Sequence, residues 1–118
     1  MVEQEKTKDF KGTIIVGDSR TANIEDRLHH FGIDKVQFVI YHPPYWDIIK
    51  FSDNEKDLSN CDSLEEFNQS FGEVIDNTSK YLEKNRYCAC VIGDKYANSE
   101  IVPLGFYCMN SFLSRKIN

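Results

Sequence analysis

One stretch constrains this chain more than any other: Val36-Gln37-Phe38-Val39-Ile40-Tyr41-His42-Pro43-Pro44-Tyr45-Trp46-Asp47. Its first half, Val36 to Tyr41, is an apolar run of strand length, suited to burial in a sheet. Its second half stops that strand abruptly. Two consecutive prolines carry no N–H and fix φ, so neither ladder pairing nor a helix can continue through them. The outcome is a stiff turn that presents one histidine and two aromatic rings at a strand end, a good floor for a planar ligand.

The remainder of the chain supplies a frame for that turn. Residues 1–11 are polar and unpatterned and read as a flexible lead-in, leaving 12–118 as one modest domain. Thr13-Ile14-Ile15-Val16 reads as a buried strand closed by Gly17-Asp18-Ser19. Ile24, Leu28 and Phe31 then fall at helical spacing, with Gly32 as the C-cap. Phe51 to Asp62 has no periodicity and reads as a mobile connection, either a lid beside the site or a solvated linker. Ser63-Leu64-Glu65-Glu66 is a capping box. It opens a long amphipathic helix whose stripe (Leu64, Phe67, Phe71, Val74, Ile75, Thr78, Leu82) carries it to about Asn85. Tyr87 to Ile92 reads as a third buried strand ending in Gly93-Asp94. A polar turn at Tyr96 to Glu100 comes next, then an apolar helix over Leu104 to Leu113 with Pro103 in its first turn.

Strands alternating with helices predict an α/β fold with a parallel sheet and helices on both faces. Ligands of such sheets bind outside the carboxyl ends of the strands. All three expected strands end there in polar chemistry: GDS, HPPYW and GDK. Asp18 and Asp94 are each candidates for a ligand contact or for capping the next helix.

Several function classes are excluded or disfavoured. The chain has neither a GxGxxG nor a P-loop pattern, so the sequence supports no dinucleotide or phosphate-loop site. A net charge of −5 argues against a self-sufficient nucleic-acid binder, though not against a catalytic half whose basic contacts come from another segment. With no apolar run of about 18 residues and no signal pattern, a soluble, cytoplasmic protein without a membrane partner is expected. Cys61, Cys88, Cys90 and Cys108 fit no zinc spacing. Cys88 and Cys90 would share one strand face as reduced core thiols. His29 and His30 are adjacent on a helix and point about 100° apart, a poor arrangement for one metal ion, so no metal is expected.

The HPPYW turn resembles the (D/N/S)PPY signature of the DNA amino-methyltransferases, which methylate the exocyclic amine of adenine or cytosine. The run FNQSFGEVIDNTSKYLEKNRYCACVIGDKY and the phrase IVPLGF are similar to the segments downstream of that signature in members with a permuted motif order. The likeness spans roughly residues 12 to 113. It implies a Rossmann-like methyltransferase half using S-adenosyl-L-methionine, with the target base rotated out of the duplex. Tyr45 would stack on that base, and Trp46 would line the pocket or pack beneath Tyr45. The Pro43 carbonyl and the side chain at position 42 would accept the two amine hydrogens, with Pro44 stiffening the turn. Asp18 and Asp94 would lie on the cofactor side.

Two departures from the family pattern shape the expectation. His42 replaces Asp, Asn or Ser; a neutral imidazole accepts a hydrogen bond but carries no negative charge, which should slow or abolish methyl transfer. The glycine-rich cofactor motif and the target-recognition segment of permuted members are absent, so the domain reads as incomplete. DNA would then be met through a missing or complementing segment, with a homodimer or complementing chain covering the open sheet edge. The competing readings are a methyltransferase of the same fold acting on protein glutamine or RNA, and a catalytically dead relative serving as a binding or scaffold subunit.

Overall fold

The computed structural model describes residues 12–47 and 52–115. The expected lead-in over residues 1–11 lies outside them, as does Phe51. The elements in chain order are α1 (Ile24–His30), β1 (Val36–Tyr41), α2 (Leu64–Ser79), β2 (Leu82–Cys90), β3 (Lys95–Ala97), β4 (Glu100–Val102) and α3 (Leu104–Leu113). β1 and β2 pair in parallel and α2 connects them, so the chain is α/β around a βαβ unit. β3 and β4 form a separate antiparallel hairpin.

β1 and α3 occupy the spans their apolar patterns predict. α2 begins as its capping box requires: Ser63 Oγ accepts from Glu66 N at 3.1 Å, while Glu66 Oε2 reaches back to the amide of Asp62 at 3.0 Å. α1 ends in a Schellman arrangement, Gly32 taking φ 71° while the Ile33 amide donates to Leu28 O at 3.0 Å.

Other expectations are corrected. Residues 13–16 form no strand: no described strand lies beside them, and Val16 is 97% exposed. An apolar run encodes a wish for burial but not the edge that would satisfy it. α2 stops at Ser79 rather than near Asn85, where the Lys35 ammonium donates to the Lys80 carbonyl at 3.0 Å. Leu82 is buried, but as the first residue of β2 opposite Val36 rather than as part of the helical stripe. Between Leu82 and Tyr87 the strand bulges, with Asn85 at φ 63°. The expected polar turn at 96–100 is the tip of the β3–β4 hairpin, where Asn98 and Ser99 both take positive φ. Pro103 is the N-cap of α3 rather than part of its first turn.

The stretch before α2 is more built than a mobile connection. Leu58–Asn60 forms one 3-10 turn, in which Asp57 Oδ1 accepts from the amide and the hydroxyl of Ser59 at 2.9 and 2.7 Å. Asn60 ties the turn back to the carbonyls of Ser52 and Asn54, both at 2.8 Å.

The core lies on one face of the sheet. Phe67, Phe71 and Ile75 of α2 meet Leu104 and Cys108 of α3 and Tyr41 of β1. Tyr41, Phe71 and Phe112 are mutually edge-on, with ring centroids 5.2 to 6.2 Å apart. In register, Val39 and Tyr41 pair with Cys88 and Cys90, which places both cysteines on the core side; all four cysteines are free thiols. The opposite face presents Phe38, Ile40 and Tyr87 at 53%, 62% and 80% exposure. The expectation of helices on both faces therefore holds for one face only among the described residues.

Candidate functional site

The site is assembled at the carboxyl end of β1. Tyr41, its last residue, is anchored beneath. Thr78 Oγ1 donates its proton to the Val74 carbonyl at 2.7 Å, so the Tyr41 hydroxyl donates to Thr78, also at 2.7 Å. Burial pushes the Tyr41 phenol up, which keeps that donor protonated. The ladder runs one step further through the Val91 amide on the Tyr41 carbonyl at 2.8 Å. The strand end is thus rigid before the two prolines stiffen it again.

Facing this end is the Gly17-Asp18-Ser19 turn. Although its preceding segment pairs with no described strand, the turn is held tightly. Asp18 accepts from Arg20 three times, from the backbone amide at 3.0 Å and from Nε and Nη2 at 3.2 and 3.1 Å. The Arg20 hydrogen bond holds the Asp18 carboxyl below its usual value, outweighing the opposing effect of burial. Arg20 also reaches Ser70 and Glu73 on α2, at 3.5 and 3.8 Å. Asn77 of the same helix donates to the carbonyls of Ser19 and Ala22 at 2.9 and 3.0 Å. One helix therefore fixes both walls, the Asp18 turn through Arg20 and Asn77 and the β1 end through Thr78.

Between the walls lies a cavity of about 350 Å³ lined by Gly17, Asp18, Ser19, His42, Pro43, Pro44, Lys56 and Asp57 above the Tyr41–Thr78 pair. Of the residues predicted from sequence, it gathers His42, Pro43, Pro44 and Asp18. Tyr45 and Trp46 are not among its lining residues. Tyr45 lies against Gly93, so closely that a Cβ there would sit 2.8 Å from ring atom Cε2. Its ring is 6.2 Å from that of His42. Trp46, at φ 53°, donates its indole N–H to the Cys61 carbonyl at 2.9 Å. Lys95 caps the Trp46 ring at 4.5 Å and pairs with Asp47. Asp94 lies at the carboxyl end of β2, as predicted, but its Oδ1 accepts from the Gly105 amide at 3.0 Å and so serves the start of α3.

The polar groups around the cavity divide cleanly. Asp18 is engaged by Arg20, and the Tyr41 and Thr78 hydroxyls by each other and by Val74. At Asp57, burial pushes the carboxyl up, but hydrogen bonds from Ser59 and Ser52 prevail and hold it below the usual value. Ser19 and His42 are left without a side-chain hydrogen bond among the described residues, and Lys56 acts on Asp18 through its charge.

Arg20, Lys56 and Asn77 are site-building residues that the sequence pattern did not single out, whereas Gly93 and Lys95 belong to the GDK strand end that it did. Arg20 stood two residues from Asp18, a spacing suited to a local carboxylate clasp. Lys56 and Asn77 act across long sequence separations that leave no local pattern. His29, read as a poor metal ligand, sits 3.2 Å from Asp34. No protein-family model, no curated protein and no solved structure matches this chain.

Proposed function

We propose that this chain is the amine-recognising half of an S-adenosylmethionine-dependent methyltransferase acting on the exocyclic amine of adenine or cytosine in DNA. The observation carrying this reading is the juxtaposition of His42-Pro43-Pro44, at the carboxyl end of a parallel strand, with the clasped Asp18 turn across a small cavity. A planar amine entering there would meet an uncommitted His42 ring nitrogen, and the Pro43 carbonyl is the second acceptor this reading requires. Two acceptors aimed at two amine hydrogens orient the nitrogen and leave its lone pair free to act as a nucleophile. The methyl donor would supply the electrophilic methyl group. Of the carboxylates nominated for it, Asp18 is engaged through both oxygens by Arg20, while Asp94 accepts from the Gly105 amide through Oδ1 alone and keeps Oδ2 available among the described residues. A complementing segment or chain is assigned the rest of the cofactor-holding role, together with most of the contact to DNA.

Tyr45 rests on Gly93, and stacking on a base requires its side chain to swing away from that contact. Trp46 acts beneath the loop as an anchor.

The test restores the complementing segment and compares the assembled protein with its His42→Asp variant for transfer of a labelled methyl group to DNA oligonucleotides, alongside calorimetric titration with S-adenosylmethionine. Restoring a carboxylate should raise the transfer rate on the order of a hundredfold, the usual worth of one well-aimed transition-state hydrogen bond. Equal rates in the two proteins would remove His42 from the chemistry. Absence of both binding and transfer in the assembled protein would favour a second reading, a non-catalytic binding subunit. The uncovered Phe38, Ile40 and Tyr87 face supports that second reading, since parallel sheets are ordinarily covered on both sides.

A further inference from the structure

Three of the four cysteines converge on a second cavity, of about 560 Å³, between β2 and α3. Cys88 and Cys90 line it from the strand and Cys108 from the helix, together with Ile92, Phe112 and Arg115. Cys88, Cys90 and Ile92 alternate along the strand and its extension, so their side chains share the core face. α3 runs back along that face. At its start the Gly105 amide donates to Asp94 Oδ1 at 3.0 Å, and a Cβ at Gly105 would lie 3.9 Å from Cγ2 of Ile92. One helical turn on from Gly105, Cys108 comes level with Cys90, two residues back from Ile92 on the strand, and the two thiols share a hydrogen bond. Their surroundings differ. Cys108 is 1% exposed, whereas Cys90 is partly exposed at the cavity. The hydrogen bond from Cys108 lowers the Cys90 thiol below its usual value against the effect of burial, and the same bond, then burial, pushes Cys108 up. Cys88 is pushed up by burial and by the charge of Cys90. A reachable thiolate beside a protonated thiol is the arrangement of an attacking and a resolving sulfur.

We infer that Cys90 and Cys108 are a site of reversible oxidation by peroxides, which joins β2 to α3 through a disulfide. The Cys90 thiolate attacks one peroxide oxygen, the O–O bond breaks, and the leaving hydroxide takes up a proton as water. Cys90 is then a sulfenic acid. The Cys108 sulfur attacks the Cys90 sulfur, the S–O bond breaks, and the hydroxyl departs with the Cys108 proton as a second water. Two thiols are oxidised by two electrons and one peroxide is reduced to two waters. A small dithiol reverses the bond by exchange and is itself oxidised. The link ties α3 to the strand residue that pairs with Tyr41, whose hydroxyl underpins the His42 cavity. Phe112, one turn beyond Cys108, packs edge-on against the same Tyr41 ring at 5.2 Å. Neither sulfur takes part in the proposed methyl transfer, so the site stands whether or not that reading holds.

The test treats the full chain with hydrogen peroxide, then unfolds and alkylates it and maps disulfide-linked peptides by mass spectrometry. Of the four free thiols, Cys61 and Cys88 should remain open to alkylation. One linked peptide, Cys90 with Cys108, should appear and should vanish after a dithiol reductant. Cys88→Ser should leave that peptide unchanged. In Cys108→Ala the reaction should stop at the Cys90 sulfenic acid, trapped as its dimedone adduct. All four thiols still alkylated after treatment, a Cys88–Cys90 or interchain bond in place of the expected one, or oxidation of Cys90 with no linked peptide would overturn the site. A dimedone adduct on Cys88 instead of Cys90 would do the same. Should Cys108→Ala fail to fold, the peptide map of the parent chain decides alone.

Discussion

Replacing Gly93 with alanine tests whether the position of Tyr45 is set by contact with the end of β2. The added Cβ would stand 2.8 Å from Cε2 and 3.2 Å from Cδ2 of the Tyr45 ring, with the ring's Cζ at 3.5 Å. The first of these contacts is closer than carbon atoms tolerate and the second is tight, so the ring must move. It hangs from a turn that Pro43 and Pro44 make stiff, and overpacking of this kind costs about 1–3 kcal/mol. Gly93 does not sit in the left-handed region, so alanine is acceptable to the backbone there. It also removes freedom from the unfolded chain, a gain of about 0.4–1 kcal/mol. The net expectation is a loss of about 1–2 kcal/mol, seen as a urea midpoint lowered by roughly 0.5–1 M. Trp46 is the single tryptophan and adjoins Tyr45, so its emission should change in the folded variant. In the double variant Gly93→Ala with Tyr45→Ala the clash has no partner, and the alanine at 93 should become neutral or mildly stabilising. An unchanged midpoint in Gly93→Ala, or strict additivity in the double variant, would refute the reasoning.

Three further outcomes are expected from the same geometry. Phe67→Ala, which empties a fully buried position of α2, should cost about 3–5 kcal/mol in a denaturation titration. Ser63→Ala should cost about 0.5–2 kcal/mol, and Ser63→Thr much less, if the hydroxyl on the Glu66 amide is what starts α2. The Arg20 clasp lowers the Asp18 pKa, so the unfolded chain binds the extra proton first. The clasp's contribution is complete above the unfolded value of ~3.9 and fades as pH falls below it toward the folded value. Stability measured against pH should accordingly fall less steeply below about pH 4 in Asp18→Asn than in the parent chain.

How much of the fold was legible in the sequence depended on whether a residue's partner was local. β1, α3 and the start of α2 rest on runs and caps contained within a few residues, and the sequence displays them directly. The end of α2 was not legible, because Leu82 satisfies a helical stripe and a buried strand start equally well. Only the pairing of Val36 with Leu82 decides between them. Ile14 to Val16 has the composition of a core strand, yet strand formation needs an edge, and nothing in the run specifies one. The hairpin tip was readable as a turn, whereas the two short strands that make it a hairpin were not, each being three residues long. At the site, the HPPYW turn announced itself through its prolines. The contacts that decide which of its side chains face the cavity did not: the GDK strand end was visible, but that Gly93 receives Tyr45 and Lys95 covers Trp46 is settled across the fold.

The parallel pairing has a consequence for how the site comes into being. Tyr41 and Cys90 are neighbours in the sheet although the cavity loop, α2 and most of β2 lie between them in the chain. A parallel pair cannot zip from a tight turn, so this contact closes a large loop before any of its enthalpy is returned. Both walls of the cavity hang on α2, through Thr78, Asn77 and the Arg20 contacts. The cavity is consequently a late, non-local product of folding, and such topologies acquire their structure slowly. A ligand bridging the His42 and Ser19 walls would bind only the fully closed chain. It would slow unfolding far more than it would hasten refolding.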